Sequence, residues 1–372
     1  MILFDVDGVL LSEERYFDAS ALTVWELLHS NNYIGLDPDN FTPGPDEDVI
    51  RRVRGDVFDQ DQVLKLIKAR GINANWDMVY LAFSYQIICI LDQLKSEHPE
   101  KVKTIIQAEI NRDTLHEIKT LASKNSVRLD YAGFVADFEK GDARKQQLFL
   151  YLNTIAEEKI GVATKSFTRN SQLWDVCREV FQEWYVGDDK AELSNGKPPF
   201  QTGKKGFLAN EIPIVPPEEI KTLFKKLSDK GITIGIGTGR PEIETLEPLR
   251  AMDVLEHVDH NRIVSASDVL KAEQKYPDKA PLAKPQPFTY VYGWLGKQAD
   301  PEEAINHRLP LADADDILVV GDSIADFMAA RSIGCRFAAV LTGLSGQDAR
   351  GEFEKLEADY ILNDVREVID IF

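Results

Sequence analysis

Cysteine is scarce in this sequence. Among its 372 residues only Cys89, Cys177 and Cys335 are cysteine, and no Cys-x-x-Cys pair occurs. An odd number of widely spaced cysteines argues against a disulfide framework and against a zinc knuckle. Proteins without disulfides are typical of reducing compartments, so we expect a cytoplasmic protein whose thiols are small buried apolar groups.

Positive charge is also in short supply. The chain carries 43 Lys and Arg against 62 Asp and Glu, a formal charge of −19. Nucleic acids and anionic membranes are bound through basic surfaces, so we expect neither as a partner. The shortage of basic residues is unevenly distributed along the chain, because residues 51–210 carry 24 basic and 22 acidic residues and are therefore nearly neutral. Basic residues there, such as Lys204 and Lys205, could supply positive potential near a ligand, although a solvated helical face or loop is the commoner reason for such residues.

Long hydrophobic runs are absent as well. The most apolar stretch, residues 87–91, ends at Asp92, whereas a membrane-spanning helix needs about 20 apolar residues. The residues ahead of Asp5 lack the basic region and the long apolar region of a signal peptide. We therefore expect neither a membrane anchor nor a secretion signal.

The apolar residues that are present follow two patterns along the chain. The first six residues are typical of a short buried strand, and residues from about 16 to about 210 show helical spacing without an alternating strand pattern. Residues 187–206, rich in Gly, Pro and Asn, are predicted as a loop or linker. After Ile212, short apolar strands alternate with amphipathic helices, which is typical of a parallel sheet covered by helices on both faces.

The sequence therefore predicts an α/β fold that contains an insertion. Residues 1–14 and 212–372 would form a discontinuous core of normal domain size, and residues 15–211 an all-helical domain inserted after the first strand. In open parallel sheets, ligands bind beyond the carboxyl ends of the strands. Polar residues at those ends are the candidate site residues.

Two such ends carry a pattern with chemical meaning. Asp5 and Asp7 follow the first predicted strand, and the turn at Gly8 allows Asp7 to fold back over Asp5. One carboxylate can then attack while the other handles a proton. After a second buried strand, the hydroxyl of Thr238 and successive backbone N–H groups from Gly239 onward lead into a helix and can bind an anion. Taken alone, each segment is also explained as an ordinary turn.

Two further segments complete the set. Lys284 lies in a Pro-containing loop and could supply a cation beside crowded carboxylates, although a lone loop lysine is usually solvated. The predicted strand 317–320 is followed by Asp322 and Ser323, with Asp326 one helical turn further on. Carboxylate oxygens suit a hard cation such as Mg²⁺, and an N-capped helix explains the same residues.

In this order, each beside a strand end, the four segments resemble the motifs of the haloacid dehalogenase (HAD) superfamily of phosphohydrolases. Those motifs are Asp-x-Asp-Gly, a Thr or Ser at a strand end, a Lys, and Gly-Asp-x-x-x-Asp. Residues 341–364 also resemble the tail of the phosphoglycolate-phosphatase-like subfamily. The resemblance implies a Rossmann-like HAD core, with the helical insertion as a C1-type cap that is much larger than usual.

The resemblance further implies a hydrolase of phosphoric monoesters that acts on a small phosphorylated metabolite. Asp5 would be the nucleophile that forms an aspartyl-phosphate. Asp7 would protonate the leaving oxygen and then activate water. Thr238, the backbone at Gly239 and Lys284 would hold the phosphoryl group.

Mg²⁺ is the cofactor that the resemblance implies. It would be bound by Asp322, the Asp5 carboxylate and the main-chain carbonyl of Asp7, with Asp326 and Ser323 in support. The chemistry needs such a cation, because an anionic carboxylate can attack an anionic phosphate only if positive charge offsets their repulsion.

The sequence leaves three questions open. Arg240 follows the Thr238 turn directly and could contact either the substrate or a structural carboxylate. A phosphomutase would use the same nucleophile, and a non-catalytic binding or regulatory protein could keep the same fold. A monomer and a cap-mediated homodimer are both compatible with the sequence.

Overall fold

The computed structural model describes residues 1–72 and 74–372. In this part the chain forms two compact units. We call the first, Met1–Glu14 with Leu208–Phe372, the core unit, and the second, Arg15–Phe207, the helical unit.

A six-stranded parallel sheet forms the middle of the core unit. Its strands are β1 (Ile2–Phe4), β2 (Ile234–Gly237), β3 (Ile263–Val264), β4 (Leu318–Gly321), β5 (Arg336–Val340) and β6 (Tyr360–Leu362). The spatial order is β3-β2-β1-β4-β5-β6, so that β1 lies between β2 and β4, with Phe4 opposite Ile236 and Val320. Every residue of these three strands is buried, as in a parallel sheet covered on both faces. The predicted α/β fold with a Rossmann-like parallel sheet is confirmed.

The helical unit consists of helices joined by turns and loops. The helices, of which the first begins at the end of the core-unit segment, are α1 (Glu14–His29), α2 (Glu47–Val57), α3 (Gln62–Ala69), α4 (Asn75–Leu94), α5 (Pro99–Gln107), α6 (Arg112–Ala122), α7 (Gly133–Phe138), α8 (Gln147–Ile160), α9 (Gln172–Val186) and α10 (Asp188–Asn195). Helix α4 is buried along most of its length and contacts both α8 and α9. A helix that is apolar on nearly all sides needs such neighbours. The predicted helical insertion is confirmed.

Helix α10 corrects one expectation. We predicted a loop over residues 187–206, but Asp188–Asn195 is helical. Its eight residues bury only Ala191, so the segment has no apolar periodicity from which a helix could be predicted. Gly187 and Gly196 bound it with φ angles of 79° and 71°, a backbone region that favours glycine.

Helices cover both faces of the sheet in the core unit. They are α11 (Pro217–Asp229), α12 (Glu242–Ala251), α13 (Ala266–Lys275), α14 (Phe288–Leu295), α15 (Pro301–Asn306), α16 (Ile324–Ile333) and α17 (Arg350–Lys355). On one face Phe4 of β1 joins Phe224 of α11 in an apolar cluster, and on the other Leu3 joins Tyr290 of α14. This division follows from the alternation of side chains along a strand. Burial of each large apolar side chain contributes about 1.5–3 kcal/mol.

Among the helices of the described residues, none combines the length and the apolar character that crossing a bilayer requires.

A buried ion cluster lies inside the helical unit. The ammonium of Lys204 is 2.8 Å from a carboxylate oxygen of Glu26 and 2.6 Å from one of Glu183. The three side chains are between 0% and 2% exposed. Lys204 is therefore neither a cation near a ligand nor part of a solvated surface, the two roles that the sequence left open, but the counterion of two buried carboxylates. One ammonium cannot neutralise both of them.

We expect Lys204→Met to destabilise the protein by about 3–5 kcal/mol, because two buried carboxylates would lose their counterion. Thermal and urea unfolding measure this loss. The matched control is Lys205→Met, at the exposed neighbouring position, which should change the unfolding free energy by less than about 0.5 kcal/mol.

The loss should also depend on pH. Burial raises the pKa of Glu26 to about 7, and Lys204 lowers it only in part. A carboxyl with a raised pKa binds its proton more tightly in the folded chain, so the unfolding free energy decreases as pH rises from the ordinary pKa of 4.5 through 7. Without Lys204 the pKa of Glu26 would rise further. The variant should therefore lose most above pH 7 and less near pH 5, and a loss independent of pH would contradict this account.

Candidate active site

Three neighbouring strands deliver polar residues to one edge of the sheet. Asp5 follows β1, Thr238 follows β2 and Asp322 follows β4. The carboxyl ends of parallel strands meet at the same edge, which brings these residues together. The backbone N–H of Asp5 still donates to Val320 O over 2.9 Å, so the position of Asp5 is set by the sheet itself. Its side chain is buried, and its Oδ1 accepts from the backbone N–H of Val6 at 2.8 Å.

Lys284 links two of the carboxylates at this edge. Its Nζ is 2.9 Å from Asp5 Oδ2 and 2.7 Å from Asp326 Oδ1, and it donates to Gly237 O over 3.3 Å. Burial alone would lower the pKa of Lys284, but Asp326 and Asp5 outweigh it and raise that pKa above its ordinary value. The ammonium is thus a permanent cation between two acidic groups.

Asp326 is the anchor of that lysine. Its side chain has no solvent exposure, and its oxygens accept from Lys284, from Tyr290 Oη at 2.6 Å and from Ser323 Oγ at 2.5 Å. Burial would raise the pKa of Asp326, but Lys284 together with the hydroxyl donors Ser323 and Tyr290 lowers it below the ordinary range. Asp326 is therefore an ionised acceptor that holds Lys284 in place.

Asp5, Asp322 and Asp326 form a cluster of carboxylates. Each offers one oxygen, and these oxygens lie within 4.8 Å of one another. Burial raises the pKa of Asp5 to about 7, because Lys284 offsets only part of the effect of burial and of the neighbouring carboxylates. Burial and the neighbouring carboxylates also raise the pKa of Asp322. The cluster thus has more negative charge than Lys284 can balance, and its oxygen donors fit a hard divalent cation such as Mg²⁺.

Thr238 and Gly239 form the turn between β2 and α12. Thr238 is 1% exposed, and its Oγ1 accepts from the backbone N–H of Arg240 at 3.2 Å. Because the oxygen is the acceptor in that bond, the hydroxyl proton can be donated elsewhere. Gly239 is exposed, and a Cβ added there would meet no atom within 4 Å. The turn leaves space for a ligand beside its backbone.

Arg240 does not point to the surface. Its side chain is 1% exposed and forms ion pairs with Asp7 and with Glu211, whose side chains are 28% and 2% exposed. Of the two roles that the sequence left open for Arg240, the structure places it on carboxylates of the core unit.

Comparisons with known proteins indicate the family of this chain. Residues 282–368 match the family model of HAD-hydrolase-like proteins. An X-ray structure of a Northeast Structural Genomics Consortium target is 36% identical, covers 100% of this chain and 97% of its own, and has a TM-score of 0.90. The chain belongs to the HAD superfamily.

Structures of lower sequence identity were also found. A hydrolase from Pseudomonas syringae is 14% identical, covering 100% of this chain and 96% of its own with a TM-score of 0.36. A protein from Bacillus subtilis that is assigned as a HAD hydrolase and was solved with bound magnesium is 13% identical, with coverages of 100% and 96% and a TM-score of 0.39. No curated protein gives a significant match.

Several residues of this candidate site were not predicted from the sequence. Tyr290 lies in an apolar helix, where it is typical of a core residue, and only its contact with Asp326 distinguishes it. Glu211 lies at the boundary of the predicted core, without a motif around it. Thr342 and Gly343 follow β5 and lie near Asp322 and Gly8. Their position after a strand end was the available signal.

Two glycines pack against the carboxylate of Asp322. A Cβ on Gly343 would lie 1.9 Å from Asp322 Oδ2, and one on Gly8 would lie 2.3 Å from the same atom. Thr342 Oγ1 donates to Gly8 O over 2.5 Å and joins the two loops. Asp322 is therefore held between the loops after β1 and β5, and no side chain can be added at either glycine without displacing it.

We expect Gly8→Ala to destabilise the core unit for two reasons, its φ of 68° and the contact with Asp322. Gly346→Ala is the matched control, because its φ is 50° but an added Cβ meets nothing within 4 Å. The control should lower the unfolding free energy by about 1–2 kcal/mol from backbone strain alone. Gly8→Ala should lower it clearly more. Thermal unfolding measures both, and equal losses would show that the contact with Asp322 has no cost.

Proposed function

We propose that this protein is a Mg²⁺-dependent phosphatase that hydrolyses a small phosphorylated metabolite through an aspartyl-phosphate. The observation that carries the proposal is the buried Asp5 carboxylate, held at the end of the central strand and paired with Lys284 at 2.9 Å. An attacking carboxylate needs a fixed position and a cation beside it, because phosphoryl transfer depends mainly on positioning and charge stabilisation.

In the first half of the proposed reaction, an Asp5 oxygen attacks phosphorus and the bond from phosphorus to the leaving oxygen breaks. Asp7 gives its proton to that oxygen. Thr238 and the backbone at Gly239 hold the phosphoryl oxygens, and Lys284 offsets the negative charge of both partners. In the second half, Asp7 accepts a proton from water, whose oxygen displaces Asp5 from phosphorus and releases phosphate.

Mg²⁺ would be held by the carboxylates of Asp322 and Asp5 and by the main-chain carbonyl of Asp7, with Asp326 and Ser323 as supporting residues. When bound, the ion would supply the positive charge that lets an anionic carboxylate approach an anionic phosphate. The raised pKa of Asp5 and of Asp322 supports the proposal, since both groups would be ionised more readily beside a divalent cation.

We propose different roles for the two units. Residues 1–14 and 212–372 would be the catalytic core, and residues 15–211 a helical cap domain. The three cysteines are buried and free, which supports a reducing compartment, and we place the protein in the cytoplasm.

The decisive measurement is phosphate release from p-nitrophenyl phosphate and from a panel of phosphorylated metabolites, with and without Mg²⁺. We expect release that requires Mg²⁺ and that falls by at least about 10³-fold in Asp5→Asn, which lacks the attacking carboxylate. Asp278→Asn, at an exposed position of the core unit, should retain full activity.

Other outcomes would favour other functions. Consumption of a sugar phosphate without release of phosphate would indicate a phosphomutase. Mg²⁺ binding without turnover of any member of the panel would indicate a binding protein. Full activity of Asp5→Asn would contradict the nucleophile.

Tyr290→Phe tests the support of Lys284 by Asp326. The change removes the 2.6 Å hydrogen bond to Asp326 and keeps the ring, so phosphatase activity should fall about 2–10-fold, the equivalent of one hydrogen bond of 0.5–1.5 kcal/mol. Tyr292→Phe on the same helix is the control, since its hydroxyl lies near the backbone oxygens of Lys297 and Ala299, and it should leave kcat unchanged. Equal kcat in both variants would contradict a role of Tyr290 in supporting Asp326.

A further inference from the structure

Arg240 contacts the proposed acid of the reaction, Asp7, through two donors. Its Nε donates to Asp7 Oδ1 at 2.8 Å and its Nη2 donates to the same oxygen at 2.6 Å. Two donors of one rigid guanidinium on a single oxygen restrict both the rotation and the displacement of the carboxylate. Neither bond uses Oδ2 of Asp7.

Arg240 is itself fixed from several directions. Its Nη1 donates to Glu211 Oε1 at 2.7 Å and to the backbone oxygen of Glu244 at 3.4 Å. Its backbone N–H donates to Thr238 Oγ1, and its backbone oxygen accepts from the N–H of Ala266 at 2.8 Å. A side chain that is 1% exposed and forms ion pairs with two carboxylates cannot turn toward a substrate without breaking both pairs, and the pair with Glu211, which is 2% exposed, is costly to break.

We propose that Arg240 is a positioning residue that holds Asp7 by one oxygen and leaves the other oxygen for proton transfer. The proposal rests on the proposed phosphatase function. It has a structural reason: Asp7 lies in the turn that passes through Gly8 at a φ of 68° and is the less buried of the two motif carboxylates, at 28% exposure against 8% for Asp5. A general acid must lie within hydrogen-bond reach of the leaving oxygen, and Arg240 supplies the fixed contact that an exposed turn lacks.

The same residue connects the acid with the phosphate-binding turn. The guanidinium of Arg240 holds Asp7, while its backbone N–H binds the hydroxyl oxygen of Thr238. The acid and the phosphate-binding group therefore share one rigid support, so that their separation is set by a single residue between β2 and α12.

Leaving-group dependence separates positioning from general stabilisation. The value of kcat/KM covers the steps up to departure of the leaving group, and an alkyl oxygen needs the proton of Asp7 far more than p-nitrophenolate does. In Arg240→Lys, kcat/KM should fall about tenfold or more further for an alkyl phosphate than for p-nitrophenyl phosphate. Asp7→Asn should also lower kcat/KM more for the alkyl phosphate than for p-nitrophenyl phosphate, and this difference should be larger than in Arg240→Lys. Equal falls for both substrates, or no fall, would overturn the proposal.

Two further variants test whether a loss of activity is caused by misfolding. Glu211→Gln keeps Arg240 and removes the charge of its second partner. It should also lower kcat/KM more for the alkyl phosphate than for p-nitrophenyl phosphate, by a smaller difference than in Arg240→Lys. Arg250→Lys changes an exposed arginine on α12 and should leave both values of kcat/KM unchanged. Thermal unfolding of each variant shows whether the fold is retained, and a Glu211→Gln variant that loses activity equally on both substrates would count against positioning.

Crystal structures of the wild type and Arg240→Lys give a readout that does not need turnover. We expect one orientation of the Asp7 carboxylate in the wild type and a displaced carboxylate in the variant. An unmoved Asp7 would overturn the positioning role whatever the activity. Absence of turnover in a wild type whose Asp7 moves as expected in the variant would contradict the phosphatase proposal alone.

Discussion

The ion pairs of Lys284 with Asp5 and Asp326 are the contact on which the rest of the site depends. The ammonium lies 2.9 Å and 2.7 Å from the two carboxylates, and Asp326 can bind it because Ser323 and Tyr290 donate to Asp326 in turn. A buried charge is stable only when it is paired and hydrogen-bonded. The site is therefore built outward from Asp326, which has no exposure, to Asp5, the proposed nucleophile.

The sheet explains why residues so distant in sequence can share this arrangement. Strand β1 lies between β2 and β4, so the residues that follow these strands are brought to one edge before any side chain makes a contact. Asp5, Thr238 and Asp322 were predictable from the sequence for this reason, since each follows a short run of apolar residues. Lys284 was predictable only through the HAD resemblance, because it lies in a loop with no periodic pattern.

Other features depend on contacts that no local pattern records. Tyr290 is one apolar-helix residue among several, and its role appears only through the carboxylate of Asp326. Arg240 was ambiguous from the sequence, because an arginine beside an anion-binding turn suits either a ligand or a carboxylate. The direction of its side chain follows from the position of Glu211, which precedes β2 by more than twenty residues. Helix α10 was missed because it buries a single residue.

Lys204 and Lys284 show how similar charges serve different purposes. Lys204 is enclosed with Glu26 and Glu183, and all three side chains are 0–2% exposed, so that this cluster is closed to solutes and can only affect stability. Lys284 is also paired with two carboxylates, but Asp322 beside them is half-buried and adds a further negative charge at the open edge of the sheet. The surplus charge there is costly unless a cation or a proton joins it. Exposure at the strand end, rather than the number of charges, therefore distinguishes the candidate active site from a buried structural ion cluster.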